Sequence, residues 1–122
     1  MRKEQRLRKA KDFVAVRREG RSWADKLLVL ATRRNGLDVT RFGFTIGKRI
    51  GKAVVRNKIK RRLREASRLT EVQKGWDVVF IARSGAASAD YQTLSRSAME
   101  LFRRARLLNV SSQAAGRREK AR

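Results

Sequence analysis

The hydrophobic pattern changes period several times along the chain, and each change marks an element. Residues 1–9 are mostly charged and predict a flexible basic arm. Phe13, Val14 and Val16 or Arg17 then suggest a short helix ending near Gly20. The run "DKLLVLATRR" is apolar and partly β-branched, and Asn35-Gly36 after it is the favoured two-residue turn. "LDVTRFGFTIGK" follows with Phe42, Phe44 and Ile46 at period two, so the two runs predict a β-hairpin. Gly47 and Gly51 break that strand, and Val55, Ile59, Leu63, Ala66 and Leu69 then fall on one stripe of a helix beginning near Ala53. After Gly75, "WDVVFIAR" has charges only near its ends, as expected of a parallel or central strand covered on both faces. Asp90 is placed to cap a last helix, along which Tyr91, Leu94, Ala98, Leu101 or Phe102, Ala105 and Leu108 line one side. A single domain over 10–108 is thus flanked by the arm and by a basic tail over 109–122, "NVSSQAAGRREKAR", expected to be disordered.

Charge narrows what such a domain is for. The 122 residues suffice for one modest core. Against that core stand 33 Lys and Arg and 11 Asp and Glu, a formal charge of +22 whose self-repulsion a polyanionic partner would relieve. A nucleic acid fits. A membrane does not: no apolar run approaches spanning length, and the basic N-terminus lacks the apolar region of a signal peptide, so a cytoplasmic setting is expected. With no Cys and no His, thiolate chemistry, disulfides and imidazole proton transfer are closed. The acids are scattered, so neither a catalytic site, a metal site nor a small-molecule cofactor is expected of the chain by itself.

The charge gathers in "GKRIGKAVVRNKIKRRLREASR", Gly47 to Arg68, with ten Lys or Arg against Glu65. Steps of about 100° along a helix, with Val55 at the centre of the buried stripe, put Asn57, Lys60, Arg61, Arg64 and Arg68 on the opposite side. Lys58 and Arg62 fall at the margin. An ordinary solvated face mixes signs at i,i+4, which here only Glu65 offers, so a binding face is the better reading. "GKRIGK" is not a nucleotide-binding loop, since three residues separate its glycines and Ala53 follows Lys52. Lys48, Arg49 and Lys52 either touch nucleic-acid phosphates ahead of the helix or are simply solvated.

Within this stretch, "KAVVRNKIKRRLRE" resembles the Arg-rich motif of the protein subunit of bacterial ribonuclease P. Ala53, Val54, Arg56, Asn57, Lys60, Arg61 and Arg64 stand in the motif's order and spacing, and the resemblance runs from "KAKDF" through "DVVFIAR" to "LFRRA". It implies an α+β fold: a single two-layer domain of helix, three strands, helix, strand and helix, with a left-handed βαβ crossover; two of the first three strands are those of the hairpin, and the remaining one would be short, near Ser22 and Trp23. It also implies partners, namely a large catalytic RNA and precursor tRNA, whose 5′ leader is removed with Mg2+ ions held mainly by the RNA. The RNA-binding residues it implies, with the charged face, are Lys48, Arg49, Lys52, Arg56, Asn57, Lys58, Lys60, Arg61, Arg64 and Arg68. Lys58 departs from the motif's usual Arg, keeping charge without the bidentate fork.

For the leader, the resemblance implies a cleft between the first helix and the sheet lined by aromatic side chains. Phe13 matches one such position; Arg17 and Ala31 stand where two others commonly fall, shifting the expected contacts from stacking toward charge. Phe13 is equally readable as a core residue anchoring the helix. The main rival is a ribosomal-type, rRNA-binding protein, which shares the charge and domain size but not the motif. A DNA-compacting protein would need a dimer or a groove-inserting wedge, neither of which is evident.

Overall fold

Val78, Val79 and Phe80 are all fully buried, so the strand that carries them must be covered on both faces and flanked on both edges. A computed structural model, which describes residues 1–109, shows how this is achieved. The elements are α1 (Ala10–Glu19), β1 (Arg21–Ala24), β2 (Leu28–Arg34), β3 (Arg41–Thr45), α2 (Ala53–Leu69), β4 (Trp76–Ala82) and α3 (Tyr91–Arg104). Short 3-10 turns occupy Lys3–Gln5, Lys48–Ile50 and Ser84–Ser88. The single sheet has the order β1-β2-β4-β3, with β4 antiparallel to β2 and parallel to β3. The α+β class and the order of elements agree with expectation, including the short strand at Ser22 and Trp23.

The expected hairpin between β2 and β3 does not form, because β4 lies between them. The Asn35-Gly36 signal is nevertheless used. Gly36 takes a positive φ of 72°, and the Leu37 amide donates to Asn35 Oδ1 at 2.7 Å. The Asn35 amide donates to Gly75 O at 2.9 Å, so the turn carries the chain across the start of β4 rather than back along β2. The hairpin actually present joins β1 to β2, closed by Asp25, whose Oδ1 accepts from the Leu27 and Leu28 amides, each at 2.8 Å.

Strand alternation sorts the core into two faces. Leu28, Leu30, Phe42, Val78 and Phe80 face α2 and α3 in the main cluster, where Phe102 meets Phe80 edge to face at 5.2 Å between centroids. Ala31 and Val79 face the other way and bury Val16 of α1 together with Leu7. The expected two layers are therefore joined by a third, partial one. Leu7 also ties down the segment expected to be a flexible arm: it is buried, and its amide donates to Phe42 O at 2.8 Å. Asp90 caps α3 as foreseen, accepting from the Thr93 amide at 2.8 Å. Of the tail expected over 109–122, only Asn109 is described, and its amide donates to Glu71 O; the rest lies outside the described residues.

Candidate nucleic-acid interface

Helix α2 has 17 residues, and Ile59, Leu63, Ala66 and Ser67 make its buried seam. That seam is turned by about 60° from one centred on Val55, at 100° per residue; Val55 is only half-buried, and Leu69, expected on the stripe, is exposed. The rotation re-sorts the predicted cations. Asn57, Lys58, Arg61 and Arg68 are exposed, with Arg61 diametrically opposite the seam, while Arg56, Lys60 and Arg64 are half-buried along one flank. Lys58, assigned to the margin, is in fact on the open face. Arg68 is drawn into an ion pair with Glu65, its Nε donating at 3.1 Å, and the Arg56 Nε donates to Gly51 O at 3.2 Å. Arg62 points away from this face and holds the helix to the Ser84–Ser88 turn, donating to Ala89 O at 2.7 Å.

The loop leading into α2 presents Lys48, Arg49 and Lys52, all exposed. Gly51 takes φ 157°, and a Cβ there would sit 3.2 Å from the Val55 side chain, so the sharp approach needs glycine. No side chain caps the helix at Lys52, and its first turn holds no acid. The first-turn amides therefore point outward among cations, an arrangement that suits a phosphate oxygen.

The second predicted locus lies on the α1 face of the sheet. Phe13 is half-buried, its ring lying on Gly43 so closely that a Cβ there would come within 2.4 Å of it. Arg17 is exposed one turn further along α1. Ala31 is buried among Leu7, Val16 and Val79, so it belongs to the core of this face and not to an open cleft wall. The register puts Val29, Ile81 and Thr45 side by side on the same face, all half-buried. These floor residues escaped the sequence analysis, although the alternation that turned Phe42 and Phe44 toward one face left Gly43 and Thr45 for the other. The two loci occupy different faces of the sheet. Among the described residues, no group of three or more His, Cys, Asp or Glu is placed to hold a metal ion. Nor is any helix there long and apolar enough to cross a membrane.

Residues 1–106 match a protein family described as Ribonuclease P. A ribonuclease P protein component from Clostridium botulinum is 39% identical over 110 residues, covering 88% of this chain and 99% of the relative. Among solved structures, the RNase P protein of Staphylococcus aureus superposes with a TM-score of 0.80 at 30% identity, covering 86% of this chain and 98% of that one. The RNase P protein from Thermotoga maritima gives 0.75 at 34% identity, covering 81% and 96%. Sequence profile, curated relatives and fold agree over nearly all of the described residues: the chain belongs to the ribonuclease P protein family, the protein components of the enzyme that processes tRNA.

Proposed function

We propose that the open face of α2 and the loop before it bind the catalytic RNA of ribonuclease P, and that the α1 face of the sheet holds the 5′ leader of precursor tRNA. The observation that carries this reading is the division of α2 into a buried seam and an open cationic face, continuous with the cations and uncapped amides at its start. The protein then contributes positioning and charge neutralisation. RNA-bound magnesium ions supply the activation of water. The reaction is endonucleolytic removal of the leader, in the cytoplasm where precursor tRNA is made.

On the leader side, the exposed part of the Phe13 ring offers a stacking surface and Arg17 a cation one turn away, over a floor of Val29, Ile81 and Thr45. Stacking suits a single strand because every base has a face. Phe13→Ala is expected to weaken precursor binding by about five- to hundred-fold, the equivalent of about 1 to 3 kcal/mol, while sparing mature tRNA. Since Phe13 also contributes to the core, its thermal unfolding must be followed alongside. Arg17→Ala, at an exposed position, is the cleaner probe and should lower precursor affinity in a salt-dependent way. Equal losses for precursor and mature tRNA in folded variants would remove the leader from this face.

A further inference from the structure

Two arginines on the sheet lie over aromatic rings, and among the described residues their guanidinium groups make no hydrogen bond or ion pair. The Arg21 guanidinium carbon lies 5.4 Å from the centroid of Trp23, and that of Arg34 lies 4.9 Å from the centroid of Trp76. The register brings the two pairs together: Arg34 stands opposite Trp76, Arg21 opposite Thr32, two residues from Arg34, and Trp23 opposite Leu30. All four residues therefore share the face that carries Leu30 and Phe80, in a strip across β1, β2 and β4. Both tryptophans are half-buried against the main core, and both arginines are exposed.

Neighbouring arginines use their donors on the protein itself. Arg33 pairs with Glu19, Arg41 with Asp77, Arg83 donates to Asp25 O and Arg104 to Ala24 O. Within the described residues no hydrogen bond or ion pair uses the donors of Arg21 or Arg34. A guanidinium laid on an indole ring is fixed in position by the ring's negative face while its N–H fork stays open at the edges. Fixed, unspent forks match phosphate oxygens, and the outer plane of a stacked guanidinium accepts an unpaired base. Arg34 and Trp76 stand at the beginning of β4, with Arg21 level with Val78 and Trp23 level with Phe80, whereas the Lys48–Ile50 and Ser84–Ser88 turns beside α2 lie past the other end of this seven-residue strand, about 20 Å from Trp76.

We infer that Arg21, Trp23, Arg34 and Trp76 form a second RNA-binding surface, which takes a single-stranded RNA segment across β1, β2 and the beginning of β4. The inference rests on the protein being an RNA-binding one, and the two can fail separately. Trp23 and Trp76 are the only two tryptophans in the chain, so intrinsic fluorescence reports this surface alone. The test titrates the full-length protein at low salt with a fluorescein-labelled ten-nucleotide oligouridylate, reading label anisotropy and tryptophan emission together. Binding should quench tryptophan emission in the native protein and equally in the Arg61→Ala/Arg64→Ala variant. In Arg21→Ala/Arg34→Ala the quenching should disappear and the slope of log affinity against log salt should become shallower by about 1.4, at about 0.7 per phosphate contact on a single strand.

Arg34→Gln alone, with Trp23→Phe to isolate the Trp76 signal, repeats the comparison with a smaller perturbation, and circular dichroism confirms folding of each variant. An anisotropy change without quenching, quenching that survives in Arg21→Ala/Arg34→Ala, or equal quenching by poly-glutamate would each overturn the inference. Absence of any anisotropy change would instead defeat the RNA-binding reading itself. Titrations with the catalytic RNA and with precursor tRNA then show which of them supplies the segment.

Discussion

Asp77 is a carboxylate only 1% exposed near the start of a strand that reads as apolar. Its charge is tolerated because Arg41 grips it with two bonds, Nε to Oδ1 at 2.8 Å and an η-nitrogen to Oδ2 at 2.7 Å, and Asn35 Nδ2 adds a third at 3.0 Å. Hydrogen bonding to Asp77 raises the Arg41 pKa above its ordinary value, so the guanidinium keeps its charge and its grip on the carboxylate. These bonds lock β3 to β4 and the Asn35 turn to both. Arg41→Ala leaves Asp77 buried and unpaired, for which about 3 to 5 kcal/mol of stability is expected to be lost in denaturant unfolding. A loss below about 1 kcal/mol would show that water reaches the carboxylate in the native state. Phe13 is half-buried: its inner edge closes the core over Gly43, as the core reading of the sequence has it, while its outer part remains open, and the stacking proposed above depends on that part alone.

Among the elements, the β1–β2 hairpin is tied to α3 through Asp25, whose Oδ2 accepts from the Ser97 hydroxyl while Oδ1 serves the turn amides. Burial raises the Asp25 pKa, but the Ser97 hydroxyl, the Leu28 and Leu27 amides and the charge of Arg104 together hold it below the ordinary 3.8. A depressed carboxylate contributes stability that is complete above the unfolded pKa and drains away as pH falls through the folded value. Thermal melts from pH 7 to pH 3 should therefore show Asp25→Asn less stable at neutral pH by about 1 kcal/mol, with the gap to the native protein closing below about pH 4. A gap that stays constant with pH would mean that the carboxylate charge is not what matters. On α2, the rotated seam ranks the cations anew: Arg61→Ala should weaken binding to the catalytic RNA and make the salt slope shallower by about 0.7 to 0.9, whereas Arg62→Ala, whose guanidinium serves Ala89, should act through stability. Matching salt slopes for the two variants would contradict the ranking.

At the scale of the whole molecule, helices and strands were legible because each buries one face, and the period of Ile59–Leu63–Ala66 or of Phe42–Phe44 records that burial directly. Strand order was not, since nothing in the Asn35-Gly36 signal says whether the turn returns along β2 or passes over β4; that choice is made by Trp76–Ala82, more than 40 residues later in the chain. The same limit explains the site. The α2 face could be read because its cations are spaced along one helix, while Arg34 and Trp76 meet only across a strand pair. The seam's exact direction depended on packing against α3 and the sheet, which no local period encodes. A chain of +22 would be relieved of self-repulsion by the RNA complex proposed above. The most direct measurement is therefore single-turnover cleavage of a precursor tRNA, in magnesium at low salt, by the catalytic RNA alone, by this protein rigorously freed of RNA, and by the two together. Removal of the 5′ leader is expected to be accelerated by the combination and absent with the protein by itself; cleavage by the RNA-free protein, or no effect of the protein on the RNA's activity, would contradict the account.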